Sequence, residues 1–327
     1  MILDHINFPY RASSHLALMH VIQDSGAWER HGLDVDYQKV ISREDAHELV
    51  PKGEVEFVSG NHVSTYAARA RGDTWVYLGQ SMSNNNMALV TRDDTGIRKL
   101  ADVKGHKFGA RGNHPYLNAW LYLKQHGIDA DKDDVELVRK AQLDRADGSG
   151  RRKSLMQMVI DKDVDAVFLT QPATEHARRA GLRVIDVDPL HMVFYLTMST
   201  SKKMVDEKPD VVDRTLRAVI EGIAFFKINR EETIRILMDR FDNAGKLDRA
   251  AAEILYDDLA PKFEPRLAPS MRAIENVYQE ALRQDKDAAR IHPLMLWDFH
   301  FLRRIDDSGF INNLYKDRPD LLEGHGG

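Results

Sequence analysis

Strand-like and helix-like segments alternate through the first two hundred residues of this chain, and that order limits its fold more than any other feature. Apolar residues recur at helical spacing in one segment and at every second position in the next, which argues for α/β layers with parallel strands. At 327 residues the chain is too long for one ordinary domain and suits two α/β lobes.

Residues 2–8 read as a strand, and Ser13-Ser14 can cap a helix carrying Leu18, Val21 and Ile22 that stops near Gly32. Leu33, Val35 and Tyr37 alternate with Asp34 and Asp36 as a strand. Residues 54–58 predict another, ending in the turn Ser59-Gly60-Asn61, before a short helix with Val63, Tyr66, Ala67 and Ala70. Residues 75–78 predict a further strand. The pattern restarts near Ala88, with strands expected over 107–110, 135–138, 165–169 and 182–187. Between them lie a helix opening at Pro115 with Leu117 and Leu121 on its buried face, one over 155–160, and one after Gln171-Pro172. Beyond residue 200 the sequence is helical, beginning with the amphipathic run Val212, Leu216, Val219, Ile223 and Phe226 after Pro209. Lobe one is expected over 1–89 plus 193–327, and an inserted lobe two over 90–192.

Composition excludes several function classes. An apolar fraction of 43% with 30% charged residues is ordinary for a globular protein. No run approaches the roughly 20 apolar residues that span a bilayer, so no membrane insertion is expected. A net charge of -5 gives no general attraction to nucleic acid. The absence of cysteine removes disulfides, thiolate metal sites and cysteine nucleophiles together. Fourteen histidines are present, but none has metal-site spacing, and no phosphate loop, Gly-x-Gly-x-x-Gly or Gly-x-Ser-x-Gly occurs. Neither a metal nor a cofactor is therefore expected. Met1 leads straight into strand-like residues without a basic–apolar leader. The expected location is periplasmic if a leader has been removed, and cytoplasmic otherwise.

Several phrases carry a resemblance. Residues 25–35, SGAWERHGLDV, resemble the Gly-aromatic-x-x-x-Gly-Leu-x-Val signature of sulfonate-, nitrate- and thiamine-pyrimidine-type solute-binding proteins of ABC transporters. Residues 97–109, IRKLADVKGHKFG, resemble the phrase that leads into that family's second lobe. Residues 162–167 with Gln171-Pro172 are similar to its Gly-x-Val-Asp-Ala … Pro element, although Asp161 or Lys162 stands where glycine is common. Residues 209–236 resemble its paired C-terminal helices, and Ser308-Gly309-Phe310-Ile311 its closing segment. The resemblance implies a two-lobed α/β fold of the type 2 periplasmic-binding class, with one ligand held in a cleft between lobes. The family holds transport receptors and also enzymes: a pyrimidine synthase, aromatic decarboxylases and a desulfinase. The cysteines that mark the synthase and the desulfinase are absent here.

Candidate ligand residues follow from the expected strand ends. Phe8 and Tyr10 follow the first strand and offer aromatic faces, with core packing an equal prospect for Phe8. Gly60, Asn61 and His62 open a helix, where amides favour an anion. Asn61 can equally be the helix cap, and His62 adds a group that titrates near neutrality. Asn84 belongs to the polar run 80–86, which can place several amides and hydroxyls at the cleft, with a solvated turn the expected fate of at least two of its three asparagines. Arg111, Asn113, His114 and Tyr116 form the strongest loop, because Arg111 can grip a carboxylate or sulfonate through two hydrogen bonds. Gln171 opens the equivalent later loop, and His191 and Tyr195 lie where the chain returns to lobe one. The expected function is binding of an anionic organic acid or aromatic/heterocyclic anion, with an ABC permease as partner. The alternative is a cytoplasmic enzyme on the same fold, such as a cofactor-independent aromatic-acid decarboxylase or related lyase, with His62 or His114 moving the proton.

Overall fold

The computed structural model describes residues 3–60, 62–110, 117–139, 153–171, 173–241 and 246–322. The chain divides into two compact units, Met1–Asn84 with His191–Gly327, and Asn85–Leu190.

The first unit opens with β1 (Asp4–Asn7), α1 (Leu16–Asp24), α2 (Ala27–Arg30) and β2 (Leu33–Asp36). Strands β1 and β2 pair in parallel, Ile6 opposite Val35, so their apolar positions share one face. Gly32 adopts φ 71°, which lets the chain leave α2 and enter β2 without the steric cost a Cβ would bring. Helix α1 is not capped by Ser13 or Ser14. A single 3-10 turn, Ser13–His15, precedes it, and its N-cap His15 makes no side-chain cap bond. Helix α3 (Arg43–Lys52) follows, capped by Ser42 accepting from the Asp45 amide at 2.9 Å. The expected strand over 54–58 shrinks to β3 (Val58–Ser59). The end of α3 is the reason: the Glu54 amide is spent on the Leu49 carbonyl, and Glu56 accepts from both nitrogens of Asn7. Then come α4 (Ser64–Ala70) and β4 (Trp75–Asn85).

The second unit contains β5 (Ala88–Thr91), β6 (Lys107–Ala110), α5 (Leu117–Gln125), β7 (Glu136–Arg139), α6 (Leu155–Ile160), β8 (Ala166–Leu169), α7 (Ala173–Arg179) and β9 (Arg183–Asp186). Its sheet has the order β7-β6-β8-β5-β9. Strand β6 runs parallel to β7 and β8, as alternating patterns predict, but β5 is antiparallel to β8 and β9. Strand β5 is reached from β4 through residues 86–87 alone. Val90, Met158, Val159, Val164, Val167 and Ala177 fill the core on one side of this sheet. The Tyr122 hydroxyl accepts from the amides of Met87 at 3.2 Å and Leu190 at 3.1 Å, fastening the first and last segments of the unit to α5.

The chain then re-enters the first unit along β10 (Leu190–Ser201), which lies between β3 and β4 and is antiparallel to β3. The helices α8 (Lys202–Glu207), α9 (Pro209–Ile228), α10 (Arg230–Arg240), α11 (Arg249–Leu259), α12 (Met271–Gln284), α13 (His300–Asp307) and α14 (Phe310–Leu314) complete it. The buried stripe of α9 packs on α1, and Phe8, Trp28, Leu216, Phe226, Phe263 and Phe301 belong to the same core. Each such side chain contributes on the order of 2–3 kcal/mol by leaving water. Among the described residues no helix is long and apolar enough to cross a membrane.

Candidate functional site

A hydrogen-bonded set of polar side chains sits in the first unit, where β1, β3 and β10 end or pass. The Ser59 amide is held by the Pro9 carbonyl and the Arg11 amide by the Ser59 carbonyl, each at 3.0 Å, which joins the segment after β1 to β3. The Gly60 amide donates to the Thr197 carbonyl at 3.0 Å, and Ser199 Oγ donates to the Gly60 carbonyl at 2.8 Å. Gly60 takes φ 113°, and a Cβ there would come within 3.0 Å of the Arg11 side chain and 3.3 Å of His15. The residue is therefore glycine for two reasons, backbone angle and close approach.

Around that glycine lie two histidines. His15 is 4% exposed, and its Nδ1 is 2.7 Å from Ser59 Oγ. Burial, helped by the charges of His62 and Arg11, pushes its pKa down to about 3, so the ring is neutral at physiological pH. Its ring also packs on Tyr195 with centroids 5.2 Å apart. Tyr195, at φ 67° within β10, reaches the Ser14 carbonyl with its hydroxyl. His62 Nδ1 lies 2.6 Å from Thr197 Oγ, and Thr197 in turn donates to Gln80. Tyr77 donates to the His62 carbonyl at 3.1 Å and bonds Thr65, which fixes the backbone of that loop. Arg11 is half-buried, donates to the Ile41 carbonyl, and is held below the usual arginine range by desolvation. The set can present neutral donors and acceptors together with one partly desolvated guanidinium.

The second unit has a separate pocket of about 290 Å³, lined by Gly109, Ala110, Ser154, Phe168, Thr170 and His176 among others. It opens where β6 and β8 end and α6 and α7 begin. Its walls are mainly apolar. Beside it, Gln171 Oε1 and Thr174 Oγ are buried without a hydrogen-bond partner among the described residues. Among the described residues no group of three or more histidine, aspartate or glutamate side chains is placed to hold a metal ion.

The expected residues are distributed as follows. Gly60 and His62 lie together in the first unit's polar set. Tyr10 is half-buried beside it and bridges to Val40 and Ser59. Phe8 is fully buried, with Phe57 at 5.5 Å and Trp28 at 6.3 Å, which is core packing. Strand β4 takes up residues 80–85 of the polar run, with Gln80, Ser81 and Ser83 buried, while Asn86 is exposed in the link to β5. Asn84, near its end, has a buried Oδ1 without a hydrogen-bond partner among the described residues. Asn61, Arg111, Asn113, His114 and Tyr116 lie outside the described residues.

Sequence reasoning passed over His15, Ser59 and Thr197. His15 sits where two serines suggest a cap, and Thr197 lies in an apolar strand with no local sign of a partner more than a hundred residues away.

A family profile described as NMT1/THI5 like matches residues 14–233, more than half of the chain. Over 90 residues the chain is 29% identical to a 4-amino-5-hydroxymethyl-2-methylpyrimidine phosphate synthase of Schizosaccharomyces pombe, covering 28% of this chain and 26% of that one. It is 24% identical over 172 residues to a Haemophilus influenzae protein named for thiamine biosynthesis, covering 50% of this chain and 54% of that one. The matches thus span about half or less of these relatives. Among solved structures, the periplasmic aliphatic sulphonate binding protein SsuA from Escherichia coli superposes with a TM-score of 0.63 at 16% identity, over 88% of this chain and 91% of that one. That likeness establishes the periplasmic-binding-protein fold.

Proposed function

We propose that this chain, which belongs to the NMT1/THI5-like family, binds one small organic acid or heterocyclic anion, as the solute-binding component of an ABC transporter does. The polar set around Gly60 carries this reading. Arg11 supplies a full positive charge in the set, and neutral His15, with Ser59, His62, Thr197 and Gln80, supplies oriented hydrogen bonds. Such an array favours an anion without the large desolvation penalty of many fixed charges. An ABC permease as partner and a periplasmic site of action go with this reading.

Titration calorimetry against alkanesulfonates, aromatic carboxylates and anionic pyrimidines tests it, with the recovered ligand checked for chemical change. The expected result is saturable binding of one class, unchanged ligand, and affinity at least about tenfold weaker in H62A, the order one lost polar contact supplies. Absence of binding across all classes sinks the proposal. Turnover of an aromatic carboxylate would instead support the lyase alternative.

A further inference from the structure

A second group of side chains in the first unit joins α3, the start of α4 and the segment before β4. His47 Nε2, on α3, is 2.8 Å from the Oγ of Ser64, the first residue of α4. Its other ring nitrogen, Nδ1, faces Asp73 Oδ2 at 3.8 Å. Local structure sets this arrangement. The His47 ring packs edge-on against buried Trp75, with centroids 5.3 Å apart. Gly72 takes φ 108° and turns the chain out of α4, and the Asp73 amide then bonds back to the Ala68 carbonyl at 3.1 Å.

Ser64, His47 and Asp73 all line one cavity of about 480 Å³, whose apolar wall includes Val63, Ala67 and Ala281. A mere tie between two helices would need neither the carboxylate behind the ring nor the shared cavity. A carboxylate only accepts, so Asp73 favours the proton on Nδ1 and leaves Nε2 to accept from Ser64. Desolvation and the charges of Arg43 and Arg11 hold the His47 pKa below its ordinary value, although Asp73 opposes them. The ring is therefore neutral near pH 7 and able to take a proton.

We propose that Ser64 as nucleophile, His47 as base and Asp73 as positioning residue hydrolyse small carboxylic esters by acyl transfer. Ser64 Oγ bonds to the ester carbonyl carbon as its proton passes to His47 Nε2. The ester C–O bond breaks, and that proton leaves with the departing oxygen as an alcohol. Water then gives a proton to His47 and bonds to the acyl carbon. The bond from Ser64 Oγ to that carbon breaks, Oγ regains the proton, and a carboxylic acid departs. The apolar wall suits a short acyl chain. This activity goes beyond ligand binding and does not depend on the polar set around Gly60.

A fluorophosphonate probe with peptide mass spectrometry tests the nucleophile, and hydrolysis of 4-nitrophenyl acetate tests the reaction, both on the full chain. An adduct on Ser64 is expected, with hydrolysis slowed about 100-fold or more in S64A and in H47Q. Asp73 is 41% exposed, so solvent screens its charge and D73N should slow hydrolysis only about tenfold. Asp73 raises the His47 pKa, so D73N should also move the acid limb of the pH–rate profile to lower pH. Absence of a Ser64 adduct, no hydrolysis above buffer, or hydrolysis by folded S64A at the wild-type rate overturns the proposal. An acid limb that stays in place in D73N overturns the role of Asp73. Should H47Q fail to fold, the adduct and S64A decide.

Discussion

Replacing His15 by glutamine separates the electrostatic cost of a buried imidazole from its packing. In the folded chain His15 takes up a proton only near pH 3, because burial and the charges of His62 and Arg11 oppose it. In the unfolded chain it does so near the ordinary value of about 6.5. Between these values the unfolded state binds more protons, so stability is lost as pH falls from about 6.5 toward 3. The slope is about 1.4 kcal/mol per pH unit, and the loss between pH 7 and pH 5 is therefore about 2 kcal/mol from this one group. Glutamine keeps a donor and an acceptor for Ser59 and does not titrate. His20, bonded to Tyr37 at 2.9 Å and pushed down to about 4, adds acid sensitivity that both proteins share and that cancels. Urea unfolding followed by tryptophan fluorescence at the two pH values gives the four free energies needed, since Trp28, Trp75 and Trp297 report the first unit. The stability advantage of wild type over H15Q should shrink by about 2 kcal/mol on acidification. An advantage that does not change with pH would refute the argument that His15 is kept neutral by the fold.

Three further outcomes are expected. G60A places a Cβ at φ 113° and 3.0 Å from Arg11. It should cost about 2–4 kcal/mol in strain and crowding and weaken ligand binding, read by chemical denaturation and calorimetry. Y122F removes the oxygen that accepts from the Met87 and Leu190 amides. It should destabilise the second unit by about 1–3 kcal/mol and raise hydrogen exchange at those two amides. G222A puts a methyl 2.4 Å from Ile22 Cγ1 where α9 meets α1. Overpacking of about 1–3 kcal/mol should exceed the roughly 1 kcal/mol gained in helix propensity, and I22A should relieve it in a double-mutant cycle.

By itself the sequence determined the α/β class, the order of most elements and the family. Those depend on local information: apolar spacing, turn glycines and helix starts, each legible within a few residues. The signature over residues 25–35 became α2, Gly32 and β2, because the glycine and the alternation act on their own neighbours. Tertiary structure decided three other things. It gave β5 its antiparallel direction, since its partners β8 and β9 lie far along the chain and no local pattern dictates how they meet it. It turned the polar run after Leu78 into a buried strand, because Gln80 and Ser81 find partners in Met82, Thr197 and Leu196. And it gathered His15, Ser59, Gly60, His62 and Thr197 from segments up to 182 positions apart. A hydrogen bond across such a separation leaves no periodicity in the chain. The loop glycine and histidine stand out in sequence, whereas the groups that set the protonation of His15 emerge only when the chain has folded.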